Sequence, residues 1–293
     1  MSHSTLSQIA LQEKTRREIL HKSDLIPPLP DLVVRLLGML NEQETEPQDL
    51  ERLLQNDQVL VAKMLAMVNS PFYGLNRTIR TIKDAVMVLG FRGVRSLVLA
   101  TSTAKFLQRN FDVYGHQPKG LWLHAVCVAA GSRGLAKLCK MTPDEAEMLF
   151  VAGLLHDIGK LLLIQYLADA AKGAPVPSPA WAFERTAIGI DHAEAGALVT
   201  AKWNLAPEIQ DVIKAHHDEA APTATKGAAL VRLADVVAHE LGIGYLPQKA
   251  PPAVVAPGDL QVLGITPEAW TPLRDQLAVS MDEAVAALGN LSS

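Results

Sequence analysis

Apolar residues recur at spacings of three and four along most of the chain, and no stretch alternates apolar and polar positions with period two for long, so the pattern predicts an all-α protein. Several helix starts can be read from local chemistry. Pro30 opens a stretch to about Leu40, Asp57 stands before Gln58 to Val68, and Thr81 with Asp84 makes a capping-box-like start before Ala85 to Leu89. Thr142-Pro143-Asp144-Glu145 is a stronger signal, with Thr142 as N-cap, Pro143 in the first helical position and Glu145 placed to bond back to the cap; the helix it begins is predicted to run through Leu155 to about Ile164. Asn69-Ser70-Pro71 reads as one helix ending and the next beginning, with Asn69 in a left-handed C-cap. Further helices are expected near Asp191 to Trp203, Ala206 to His217 and Lys226 to Leu241. A last amphipathic helix, about Pro267 to Leu288, is expected to pack back onto the body or to support an oligomer. Gly173 to Pro179, with three prolines, and Leu246 to Gly258, with four, are expected as turns or linkers.

At 293 residues and 49% hydrophobic composition the chain can fill a substantial core. A formal net charge of -4 gives a field that repels a phosphate backbone, and no basic recognition helix stands out, so nucleic acid is not the expected partner. No stretch reaches the roughly 18 to 20 uninterrupted apolar residues that span a bilayer, and Met1 to Leu20 carries charges where a signal peptide has an apolar centre; a cytoplasmic protein without a membrane partner is expected. Cys127 and Cys139 fall in one helical stretch, roughly 18 Å apart along an unbroken helix, and are expected as free thiols. Arg77, Arg80, Lys83, Arg92 and Arg95 form a local basic cluster, more in keeping with a solvated face than an anion site. Trp122, Trp181, Trp203 and Trp270 are too scattered to suggest a stacking platform, and core or subunit packing is expected.

The candidate chemistry lies in the histidines. Of nine, five fall with two aspartates into a set that makes sense together: His124, His156, Asp157, His192, His216, His217 and Asp235. Singly each means little. A lone histidine such as His124 on an apolar face is more often a satisfied core residue, and His3, His21, His116 and His239 are expected to be ordinary. His156 and Asp157, however, lie in the apolar run Gly153-Leu154-Leu155-His156-Asp157-Ile158-Gly159-Lys160. A buried carboxylate there needs a partner, and a divalent cation is one. Lys160, one turn on, could neutralise a phosphate oxygen or pair with Asp157. His216-His217 is a second unusual pair, since neighbouring imidazoles on a helix point about 100° apart. Imidazole and carboxylate donors together suit Fe, Mn, Zn, Co or Ni better than Ca or Mg, and no Cys lies near enough for a thiolate site.

Leu155-His156-Asp157-Ile158-Gly159-Lys160 resembles the signature of the HD superfamily of metal-dependent phosphohydrolases. Asp191-His192-Ala193-Glu194-Ala195-Gly196, Trp203 and His216-His217 resemble the later blocks of its HDOD branch. Leu29-Pro30, Asp57-Gln58-Val59-Leu60, Asn69-Ser70-Pro71-Phe72-Tyr73 and Ile82 through Leu89-Gly90 are similar to the HDOD N-terminal blocks, so the resemblance covers roughly Ile26 to Leu241. It implies a multi-helix HD-superfamily-like bundle divided into an N-terminal extension (1–25), an N-terminal helical half (26–110), an HD-like metal-site half (111–245) and a linker with a C-terminal helix (246–293).

Carried over by position, the resemblance implies that His124, His156, Asp157 and Asp235 hold one metal, and that Asp157 bridges to a second held by His192, His216 and His217. All positions are filled, whereas many HDOD proteins lack ligands and are regarded as signalling modules. The implied function is bacterial-type signal transduction through a protein partner, a small phosphorylated ligand or a homo-oligomer. The alternative is phosphoester hydrolysis on a nucleotide or related compound, in which a metal-activated water attacks phosphorus while Asp157 holds the metals and Lys160 stabilises developing charge. The Gly-Tyr-Pro block of the HD-GYP branch, which hydrolyses cyclic di-GMP, is absent: His217 is followed by Asp218-Glu219-Ala220-Ala221-Pro222, so that activity is not implied.

Overall fold

The computed structural model of the chain describes residues 3–21, 27–40, 42, 44–55, 57–171, 173–218 and 226–289. The described residues form α-helices and turns and no strand; one isolated antiparallel bridge joins His116 and Tyr245. In chain order the helices are α1 (His3–His21), α2 (Asp31–Met39), α3 (Pro47–Leu54), α4 (Gln58–Val68), α5 (Ile82–Leu107), α6 (Gly120–Leu138), α7 (Pro143–Leu155), α8 (Lys160–Ala170), α9 (Ala180–Ile188), α10 (His192–Lys202), α11 (Pro207–Ala215), α12 (Lys226–Glu240), α13 (Pro257–Leu263) and α14 (Pro267–Leu288).

The caps behave as the sequence chemistry requires. Asp57 Oδ1 accepts from the Leu60 amide at 2.9 Å, Thr81 Oγ1 from Asp84 at 3.0 Å, and Thr142 with Glu145 forms a reciprocal capping box. Asn69 does not take the left-handed conformation. Its φ is -84°, and its side chain bonds Leu65 O and both backbone groups of Ile79, so it staples the end of α4 to the chain ten residues on; Gly74, at φ +58°, makes the left-handed turn instead.

α6 lies at the centre, packed on α7, α12 and α14. α14 folds back onto the body, burying Trp270, Leu277, Met281, Ala284 and Leu288, while the buried Trp122 on α6 donates through Nε1 to Gly289 O at 3.2 Å. Buried apolar residues from Ile19 to Leu288 form one continuous cluster. By length and composition α5 could cross a membrane, which no uninterrupted apolar run suggested. It is broken at Gly90 (φ 70°, ψ 173°), and its second half buries Val94, Leu97, Val98 and Leu99 in the bundle. The basic cluster is largely exposed; within it Arg92 pairs with Asp144 at 3.1 Å and Arg95 donates to Leu40 O at 3.2 Å. Cys127 and Cys139 are free thiols.

One expectation fails usefully. The helix begun at Thr142 stops at Leu155, and His156 to Gly159 is a run of turns before α8, so the His-Asp pair occupies a corner between helices. The proline-rich segments are mostly turns and irregular chain, as expected, and are anchored to the body. Val176 donates to Val113 O at 2.7 Å and Leu246 to Gly115 O at 2.9 Å, and both segments contribute walls to the cavity described below.

Candidate metal centre

The corner at His156 exists because α8 and α10 approach very closely beside it. A Cβ at Gly159 would lie 2.0 Å from His192 O and 2.5 Å from Gly196 N, so only glycine lets the start of α10 dock there. Docking puts His192, the first residue of α10 after its Asp191 N-cap, directly beside Asp157. α6 supplies His124, α12 supplies Asp235, and the end of α11 supplies His216, its C-cap, and His217 in the turn that follows, their ring centroids 4.0 Å apart. All seven residues of the set meet at one site.

Asp157 is buried at its centre and divides its oxygens. Oδ2 lies 3.4 Å from His156 Nε2 and 3.7 Å from His124 Nε2, whereas Oδ1 lies 3.2 Å from His192 Nε2. Asp235 Oδ1 lies 3.0 Å from His124 Nε2 and 3.9 Å from His156 Nε2, and His217 Nε2 is 2.7 Å from His192 Nε2. Donors on one ion at bond lengths of about 2.0–2.2 Å lie no more than about 4.4 Å apart, so these spacings suit shared coordination. Three groups have donor atoms within 4.8 Å of one another, His124-His156-Asp235, His192-His216-His217 and His156-Asp157-His216, the last placing Asp157 where the first two meet.

Hydrogen bonding on the outer side of the rings fits the same use. His156 Nδ1 donates to Gly153 O at 2.7 Å, His216 Nδ1 to Ile213 O at 2.5 Å and His192 Nδ1 to Glu184 Oε2 at 2.7 Å, which leaves the Nε2 of each ring as the atom that could ligate an ion. The buried atoms His124 Nε2, His216 Nε2 and Asp235 Oδ1 have no hydrogen-bond partner. Buried polar atoms are rarely left so; divalent transition metals would satisfy His124 and Asp235 in one ligand group and His216 in the other.

The charges agree. Although burial opposes ionisation of Asp157, Lys160 Nζ at 2.6 Å and His156 hold its carboxyl well below the usual range. Asp235 is likewise held low against burial by His239 and His124. Burial drives His216 and His217 well below the ordinary imidazole value. His192 goes the other way: burial lowers it, but Glu184 and Asp157 outweigh burial and hold it up at about 9, so in the ion-free chain a proton sits where positive charge is wanted.

Sequence reasoning missed four participants. Glu184, fully buried, accepts from both the amide and Nδ1 of His192 at 2.7 Å and from Tyr114 OH at 2.8 Å. It stands on α9, a helix the periodicity did not reveal. His116 and His239 are not ordinary: His116 stacks on Tyr245 with centroids 4.3 Å apart, and His239 Nε2 lies 3.3 Å from Asp235 Oδ1. Trp181 stands on the cavity wall beside His217, with Arg185 over its ring. That cavity, about 410 Å³, opens above the cluster. Its floor includes Asp157, Lys160 and Asp235, and its mouth is apolar, with Pro179, Trp181, Pro252 and the exposed Val254. Arg232 is also in the wall but spends its donors on Asp259, at 2.6 to 3.0 Å, and on Ala215 O.

The HDOD domain family model matches residues 26–219. The chain belongs to the HDOD family. Among solved HDOD-like structures, a Geobacter sulfurreducens HDOD domain protein of unknown function is 27% identical, with a TM-score of 0.70 over 97% of this chain and 99% of that one. A Shewanella amazonensis SB2B protein with a provisional phosphohydrolase name is 26% identical, with a TM-score of 0.70 over 94% of this chain and 98% of that one. An uncharacterised protein of Treponema pallidum (strain Nichols) is 27% identical over 220 residues, which are 72% of this chain and 42% of that protein, so the HDOD chain spans less than half the length of that curated relative. The stretch after Asp218, on which the missing Gly-Tyr-Pro block is read, lies outside the described residues.

Proposed function

We propose that this HDOD protein is a cytoplasmic signal-transduction protein that holds one or two divalent transition metals, of the Fe, Mn, Zn, Co or Ni type, and senses a small phosphorylated ligand in the cavity above them. One observation carries the reading: Asp157 turns one oxygen to His124 and His156 and the other to His192, beneath a cavity open to small molecules. Two dications exceed the charge of Asp157, Asp235 and Glu184, so the doubly loaded floor attracts an anion. The apolar mouth suits an organic group attached to that anion. Binding of inorganic phosphate and phosphomonoesters to metal-loaded protein, followed by calorimetry, tests it: affinity that disappears with chelator supports the reading, and no binding to fully loaded protein counts against it.

A second reading, phosphoester hydrolysis, uses the same floor and is supported by the name of the Shewanella relative. When bound, the ions supply Lewis acidity and acidify a water molecule. The chain's own residues hold and orient: Glu184 fixes the His192 ring, Asp157 joins the two ligand groups, and Lys160 stays beside Asp157, within reach of charge developing on a phosphoryl oxygen. Assays with Mn- or Fe-loaded protein over phosphomonoesters and cyclic nucleotides decide between the two; full occupancy with binding and no turnover favours sensing. A protein partner or a homo-oligomer would then carry the signal, and sizing with and without metal reads the second.

A further inference from the structure

The ligand set implied by the family leaves His239 aside. Asp235 and His239 stand four residues apart on α12, the spacing that puts two side chains on one helix face. Nε2 of His239 lies 3.3 Å from Asp235 Oδ1, against 3.0 Å for His124 Nε2 and 3.9 Å for His156 Nε2. Three imidazole nitrogens therefore crowd one buried carboxylate oxygen that accepts no well-directed hydrogen bond. The rings of His239 and His124 lie within 9° of parallel, their centroids 5.2 Å apart. His239 also reaches the cavity: its side chain is 13% exposed, where that of His124 is 1%. Donors drawn together without donating to one another form an arrangement that a shared cation satisfies and hydrogen bonds do not.

We propose that His239 is a further ligand of the ion held by His124, His156 and Asp235, completing its coordination on the cavity side through Nε2. The proposal rests on the metal reading above. Tyr245 OH lies 3.2 Å from the same Nε2 and holds the ring. That nitrogen has one lone pair, so it serves either Tyr245 or the ion, and loading exchanges one for the other. Tyr245 is then a placeholder that metal binding does not require.

Titration of chelator-treated protein with Co(II), followed by visible absorption and stoichiometry, tests this without reference to activity. Wild type, His239→Asn, His239→Gln and Tyr245→Phe are compared, with Asp235→Asn as the reference for loss of a known neighbour and circular dichroism as a check on folding. Expected are a 10- to 100-fold loss of affinity at one site in the His239 variants, on the scale of about 10–100-fold for lesser outer contacts, with altered absorption bands. Tyr245→Phe is expected to bind as tightly as wild type or tighter. Folded His239 variants with wild-type affinity and spectrum overturn the proposal and leave the metal reading standing, as does equal weakening in Tyr245→Phe, which would make His239 a positioning residue. Wild type taking up no Co(II) overturns both.

Discussion

Asp157 and Glu184 do different work on the same imidazole. Asp157 faces Nε2 of His192 from the centre, and Glu184 receives Nδ1 from outside. Asp157→Ala removes the group common to both ligand sets and strands Lys160, which is buried and paired with it. Breaking a buried pair by removing one partner costs about 3–5 kcal/mol. The variant is expected to lose its metal and to melt well below wild type, as elemental analysis and calorimetry will show; unchanged metal content would mean the ligand roles are misassigned. Glu184→Gln keeps an acceptor for Nδ1 and removes the charge. In the ion-free protein His192 is expected to titrate well below its present value of about 9, since burial is then opposed by Asp157 with less help. Metal affinity is expected to fall about 10–100-fold. NMR titration of His192 and competition with a chelator measure the two effects, and an unmoved His192 would contradict the assignment of Glu184.

Among the elements, the contact between α8 and α10 decides whether the site exists. Gly159→Ala puts a methyl group against backbone that cannot rotate away, so the helices must part and carry His192 off Asp157. Overpacking of this kind costs about 1–3 kcal/mol, sometimes more. Denaturation should show that loss together with impaired metal binding; wild-type stability would mean the close approach is not obligatory.

Much of this arrangement was legible beforehand. Caps at Asp57, Thr81 and Thr142 could be placed because each is a local hydrogen-bonding device, and the seven-residue set could be assembled because each member carries unusual chemistry for its apolar surroundings. The corner at His156 was hidden because the apolar run continues through it, and the backbone that packs against it at Gly159 belongs to His192, 33 positions after that glycine. Glu184, His239 and Trp181 have everyday sequence settings, a short helix after a proline loop and a charged helix end, and only the tertiary fold turns them inward. The walls formed by the proline-rich segments are invisible for the same reason.

For the whole molecule, proton binding gives the ion-free fold a narrow optimum. Burial lowers His116, His216 and His217 well below the ordinary value near 6.5 and His239 to about 4, so the unfolded chain binds more protons than the folded one as pH falls below 6.5. Stability from these groups is complete above 6.5 and is lost as pH falls from there through their folded values. His192 has the opposite sign: raised to about 9, it contributes fully below 6.5 and loses that contribution as pH rises through about 9. Chelator-treated protein should therefore melt at lower temperature on both sides of about pH 6.5. Metal-loaded protein, in which ligation replaces the proton on His192, should lose the alkaline decline and release protons on loading at neutral pH. Calorimetry in buffers of different ionisation enthalpy measures those protons, and an alkaline decline unaffected by metal would contradict the role given to His192.

The most direct test of the metal centre is elemental analysis of the full chain purified without chelator, beside Asp157→Ala prepared identically. The structure predicts one to two equivalents of a transition metal per wild-type chain, removed by chelator with a fall in melting temperature, and next to none in the variant. Wild-type protein with only trace metal, no uptake of added Mn, Fe or Co, and a melting temperature indifferent to chelator would contradict it.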